Sequence, residues 1–287
     1  MAMLGYEFMQ RAFWAGGLIG VIAPILGVYL MLRRQVLMAD TLSHVSLAGV
    51  ALGSFLHLNP TISGFVIAII GALVIEQLRE VYRTYTEVPV AIIMTSGLAV
   101  AVVLMSLNPH LNKSFSSYLF GSIVAVSDTQ LALIAIVAAL GLVFFVALRR
   151  PLYNFAFDEE TAAISGTRVS LLSFSFAVFT GMTVAASMPI VGVLLVSALI
   201  VLPASIALRI APGFLAAMGV AVLTGWVGVF SGLTASYYLN SPPGGTIALI
   251  LVGFLLIAVC IQKLLQLRNR RAVQINKPKV RGVINHD

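Results

Sequence analysis

Two residues that can hold a cation, Asp40 and His44, stand four positions apart inside an otherwise apolar stretch of the chain. That spacing puts both side chains on one face of a helix, one turn apart. A carboxylate oxygen and an imidazole nitrogen in this arrangement make half of a divalent-cation site. Ionisable groups are costly inside a bilayer, and where they occur they mark ion pathways. A second reading needs no metal: Asp40 caps the helix near its cytoplasmic end and His44 is hydrogen-bonded inside a bundle. Both readings require a helix, and composition decides what kind.

Of 287 residues, 60% are hydrophobic and 9% charged, against about a quarter charged in soluble domains. Mean hydropathy is +1.05. The apolar runs are near-continuous and too long for the alternating ten-residue strands of a barrel. The fold class is therefore all-α, a polytopic membrane protein. Nine spans are expected, near 13–32, 36–58, 62–78, 88–107, 131–148, 171–187, 190–208, 214–233 and 246–261, with eight the alternative count. The closely spaced pair meets at Met188-Pro189, and Phe120–Val126 reads as a short re-entrant or interfacial piece. Cys260 has no partner in the chain and reads as a buried, inert thiol. The first apolar run ends beside Arg33-Arg34 without a small-residue cleavage site, and reads as a retained span.

With the N-terminus outside, Arg33, Arg34, Arg79, Arg83, Arg149, Arg150, Arg168, Arg209 and all basic residues from Lys263 onward fall on the cytoplasmic side. The net charge of +7 then follows from topology, with no need for nucleic acid. Residues 1–266 form the membrane domain, and 267–287 a basic cytoplasmic tail expected to be poorly ordered. Glu76/Arg79 and Glu80/Arg83 read as surface ion pairs on a helix extended into the cytosol. Ser127-Asp128-Thr129-Gln130 reads as a capping box opening the fifth span.

The longest polar insertion between spans is 149–168. Within it Asp158 can cap a short helix, Glu159 and Glu160 favour its first turn, and Gly166 is a natural stop. Such a helix, led in by Phe155 and Phe157, is shaped to dock into a partner; a simple connecting loop is the plainer reading. Ser46, Gly49 and Gly53 allow close helix approach, either within the chain or at a dimer seam. Pro203 bends an apolar helix and is a candidate gating kink, with Ser197 and Ser205 placed to satisfy freed carbonyls. His57 and His110 lie toward the outer side, and His286 in the tail.

The run Leu37-Met38-Ala39-Asp40-Thr41-Leu42-Ser43-His44-Val45-Ser46-Leu47-Ala48-Gly49-Val50-Ala51-Leu52-Gly53 closely resembles the second-helix motif of the zinc/manganese-uptake ABC transporter permeases. Three further segments agree in order: 157–166, Gly192-Val193-Leu194-Leu195-Val196-Ser197-Ala198-Leu199-Ile200-Val201-Leu202-Pro203-Ala204, and Ser241-Pro242-Pro243-Gly244-Gly245-Thr246. The resemblance runs from the first helix through Ile261. It implies a type II ABC-importer-like permease in a bacterial plasma membrane, working as a homodimer with a cytoplasmic ABC ATPase subunit and an extracellular metal-binding lipoprotein. It also implies that Phe157, Asp158, Glu159, Glu160, Ala163 and Gly166 couple to the ATPase. No G-x-x-x-x-G-K-[ST] loop is present, so ATP would be bound and hydrolysed on another chain and this one is not itself an enzyme.

In that setting a two-fold axis duplicates Asp40 and His44 into an N2O2 set for a transient ion, Zn2+ or Mn2+, carried as cargo rather than held as a cofactor. The wording from Met38 to Ser46 is closer to the zinc branch of the family. The competing class is a self-contained secondary metal transporter or channel, which more often shows inverted repeats and several buried carboxylates. An intramembrane hydrolase is a distant third, since neither H-E-x-x-H nor G-x-S-x-G occurs.

Overall fold

The computed structural model describes residues 5–82, 85, 87–107, 112–124, 126–164, 166 and 168–275. Arg83, Ser165, His110, His286 and the tail beyond Ile275 lie outside the described residues, as does the side chain of Glu160. The described residues form twelve helices: α1 (Glu7–Leu32), α2 (Leu37–Phe55), α3 (Pro60–Val81), α4 (Glu87–Leu107), α5 (Asn112–Phe120), α6 (Asp128–Ala147), α7 (Arg149–Phe157), α8 (Glu159–Ile164), α9 (Val169–Val191), α10 (Val196–Ile210), α11 (Phe214–Leu239) and α12 (Pro243–Ile275).

The nine longest helices correspond one for one to the nine expected spans. Seven are long and apolar enough to cross a membrane, while α10 is apolar but has only 15 residues. At 1.5 Å per residue it covers about 22 Å, short of a hydrocarbon core about 30 Å thick. The remaining helix, α2, carries Asp40, Thr41, Ser43, His44 and Ser46 along an apolar scaffold. It packs against α3 and α4, while α1 packs against α10, α11 and α6. Being apolar on every side, α1 runs through the interior, with Ala12, Ala23, Leu26 and Leu30 fully buried. Large side chains on α4, α6 and α12, among them Val103, Val143 and Leu249, face outward as a belt suited to lipid.

Several expectations need correction. The break between the sixth and seventh spans is not at Met188-Pro189: Pro189 lies inside α9, and the helix ends at Gly192, which takes φ +84°. A proline at the last turn removes one hydrogen bond, whereas Gly192, at φ +84° and ψ 151°, leaves the helical conformation altogether. Phe120 is the last residue of α5, and residues 121–124 and 126 after it are outside any helix. Cys260 is exposed rather than buried. The first span begins at Glu7, where Arg11 reaches Asp128 at 3.1 Å. The capping box is present, with Gln130 N–H donating to Ser127 Oγ and Ser127 N–H to Gln130 Oε1.

Three backbones meet at one junction. Val193 and Leu194 N–H donate to the carbonyls of Tyr118 and Leu119 (2.9 and 3.3 Å), and Ser122 N–H donates to Pro189 O (3.1 Å). The α9–α10 break therefore has its polar backbone satisfied by protein, as non-helical backbone at membrane depth requires. Gly121, Gly192 and Gly244 permit this approach, for a Cβ on Gly244 would collide with the Val191 carbonyl. Gly244→Ala is expected to destabilise the fold by about 1–3 kcal/mol, the usual cost of forcing atoms into a packed site. Gly245→Ala, which meets nothing within 4 Å, serves as the control. Thermal unfolding of the two detergent-solubilised variants checks the difference.

Candidate functional site

Asp40 and His44 lie in the first half of α2, one turn apart, with His44 Nε2 4.0 Å from Asp40 Oδ2. The imidazole is 14% exposed and the carboxylate 36%. Neither half of the metal-free reading describes this geometry. Val36, not Asp40, occupies the N-cap position of α2, and no side chain caps it. Among the described residues His44 Nδ1 is buried without a hydrogen-bond partner, so the ring is not tied into the bundle through that atom. A buried unpartnered ring nitrogen beside a half-open carboxylate leaves donor capacity unused.

A third group joins them. Ser197 Oγ, in the first turn of α10, donates to Asp40 Oδ1 at 3.4 Å. Its hydroxyl thus reaches across to α2 and is not occupied with carbonyls freed by Pro203. It arrives there because Gly192 breaks the chain just before α10 begins. Pro203 is buried inside α10, near the point where Gly27 of α1 lies against the Ile200 carbonyl. Among the described residues, no three His, Cys, Asp or Glu side chains come together as a metal cage.

Ser46, Gly49 and Gly53 face α3 of the same chain. Ser46 Oγ donates to Gly64 O (3.2 Å), and a Cβ on Gly49 would crowd Gly64 Cα and Ser63 O. His57 is exposed at the far end of α2 with φ +57°, away from His44.

On the Arg-rich side, the insertion forms two helices rather than one. Asp158, extended between them, gives its carbonyl to Ala162 N–H (3.1 Å), and Gly166 takes φ +82° after Ala163. Ala162 is fully buried, while Phe157 and Ile164 are 57% and 88% exposed. Ala163 is exposed as well. The segment therefore has an anchored side and an apolar face turned away from the bundle.

Behind it lies a polar cluster that sequence reasoning missed. Arg33, whose side chain is 4% exposed, pairs with Glu159 at 3.5 Å and lies 3.6 Å above the Phe155 ring. Burial, and then the neighbouring Arg79, push its guanidinium down to about 10, so it remains a cation at neutral pH. Glu76 pairs with Arg79 at 3.0 Å as expected, yet it is buried rather than on the surface, because Ser173 of α9 also donates to it. Glu80 accepts from Ser170 at 3.4 Å. With its oxygen turned toward the guanidinium groups, the Gln35 amide accepts from Arg79 (2.6 Å) and Arg33 (3.2 Å). The charge of Arg33 and Arg34 is legible in the sequence, but the burial of Arg33 is not, because it depends on Phe155 and Phe176, both distant along the chain.

The family model of the ABC 3 transport family matches residues 5–262. A Treponema pallidum protein described as a metal transport system membrane protein is 36% identical over 260 residues, covering 90% of this chain and 97% of that one. A chelated iron transport system membrane protein of Yersinia pestis is 29% identical and covers 95% of this chain and 91% of its own. The high-affinity zinc uptake system membrane protein of Haemophilus influenzae is also 29% identical, over 85% and 94%. The solved structure of PsaBC from Streptococcus pneumoniae in complex with Fab superposes with a TM-score of 0.80 at 27% identity, covering 93% of this chain and 97% of that one.

Proposed function

The chain belongs to the ABC 3 transport family of metal-ion transporter permeases, and we propose that it carries Zn2+ into the cytoplasm as the membrane subunit of an ATP-driven importer. The observation that carries the reading is the pair Asp40/His44 on α2, joined by Ser197 at a break in the neighbouring helix. One copy offers one carboxylate and one imidazole, too few to hold an ion. Two copies related by a two-fold axis offer N2O2, which fits a four-coordinate ion and remains weak enough to release it. The functional unit in this reading is a homodimer in a bacterial plasma membrane, N-terminus outside and C-terminus inside. A cytoplasmic ABC ATPase docks on the 149–166 face, and an extracellular metal-binding lipoprotein delivers the ion.

Relatives named for zinc and for chelated iron are equally distant, so identity does not choose the cargo. The donor set favours zinc, whose filled d shell accepts a tetrahedral cage, over manganese, which takes oxygen-rich six-coordinate surroundings. Cells that depend on this chain are expected to grow in chelated medium when zinc is restored and not when manganese is. Rescue by manganese alone would overturn the choice of metal and leave the permease reading standing.

A self-contained secondary transporter would take up metal without a P-loop partner. Co-purification from the native membrane decides between the two: the importer reading expects an ATPase subunit to travel with this chain.

A further inference from the structure

We propose that Arg33 is the positioning residue that ties the ATPase-docking loop to the metal-bearing helix, so that movement of α8 is delivered to Asp40. The inference rests on the reading of the 149–166 face as the docking surface.

Arg33 follows α1 directly, and four residues, 33–36, separate α1 from α2. Asp40 therefore lies seven residues from Arg33 along a short, tightly turned connection in which Arg34 takes φ +57°. The Arg33 guanidinium touches each element of the docking loop and what lies behind it. It pairs with Glu159 at the start of α8, stacks on Phe155 of α7, and donates to Ser173 of α9 at 3.4 Å. Through Gln35 it shares an acceptor with Arg79 at the end of α3.

A buried guanidinium is an expensive way to hold a loop, because desolvation offsets much of the attraction of its ion pair and an apolar side chain fills such a slot as well. What the charge adds is direction. Its planar fork fixes the angle between Glu159, the Phe155 ring and the backbone of the turn. A rigid planar link to α8, seven residues from the metal carboxylate, moves the start of α2 whenever α8 is displaced. Without it, α8 could shift about the turn at Gly166 while α2 stayed in place.

The test uses the assembled transporter with its ATPase, with Cys260 replaced by serine and a spin label on a cysteine at Leu37, which is 56% exposed. The inter-copy label distance is measured with and without ATP, beside transport and basal ATP hydrolysis. The native background is expected to show a nucleotide-dependent shift. Arg33→Met, which fills the slot without charge, keeps assembly and basal hydrolysis but loses the shift, and metal uptake falls about tenfold, within the usual range of coupling between sites. Arg33→Lys, which keeps charge but not the planar fork, is intermediate. Glu159→Gln weakens the shift by itself and adds nothing on the Arg33→Met background. A full shift with full uptake in Arg33→Met, or additive effects of the two changes, overturns the proposal. Should Arg33→Met fail to assemble, Glu159→Gln decides: an undiminished shift overturns it. A native protein with no ATPase bound would overturn the permease reading together with this one, a result distinct from a native protein that responds and variants that respond equally.

Discussion

Asp40→Ala and His44→Ala are each expected to abolish metal uptake while the protein still inserts and assembles. The expected loss exceeds about 100-fold, since even the outer-shell partners of a metal ligand are worth about 10–100-fold. Assembly survives because neither side chain carries the packing of α2. That packing comes from Met38, Leu42, Leu47 and Val50, all nearly fully buried, and from the close approach of Gly49 and Gly53 to α3. Isotopic zinc uptake into vesicles, with size-exclusion profiles of the purified variants, checks both halves. Ser197→Ala is expected to have a smaller effect, because it removes a hydrogen bond to the carboxylate and leaves both principal donors in place.

Disrupting the docking face is expected to have the second largest effect. Gly166 holds φ +82°, a conformation that proline, fixed near −65°, cannot adopt, and its N–H donates to Ala163 O. Gly166→Pro is expected to collapse the exit from α8 and uncouple uptake from ATP. Ile164→Asp tests the same face without touching the backbone. An apolar side chain this exposed in the unbound chain is an anchor candidate, and loss of such an anchor costs about 2 kcal/mol or more of binding, roughly 30-fold. Both variants should insert normally and lose ATPase association in pull-down. Full association and full uptake in both would place the docking surface elsewhere.

What the sequence made legible was local. Nine long apolar runs and the Arg-rich side of the chain follow from hydropathy and charge, and each run has its helix. The capping box at Ser127 and Gln130 was readable because all its atoms lie within four residues. The helical pairing of Asp40 with His44 was readable for the same reason. What was not legible depends on residues far apart in the chain. The burial of Glu76 comes from Ser173, 97 residues away, and the contact to Asp40 comes from Ser197, 157 residues away. The true break at Gly192 was hidden by Pro189, a stronger helix breaker in isolation. Gly192 takes its positive φ where the end of α5 packs against it, which hydropathy cannot reveal. The first helix of the 149–166 insertion is not legible in the sequence because Tyr153 and Phe157 pack against Phe214, which is distant along the chain.

In the proposed importer, a divalent metal passes Asp40 and His44 under the control of ATP hydrolysed on another subunit. The most direct test is zinc uptake by liposomes that hold the chain with its co-purifying ATPase and a metal-loaded binding protein. Uptake is expected to require ATP, to be accompanied by metal-stimulated hydrolysis, and to disappear in Asp40→Ala. Uptake that proceeds without ATP, driven by a proton or metal gradient and undiminished in Asp40→Ala, would contradict it.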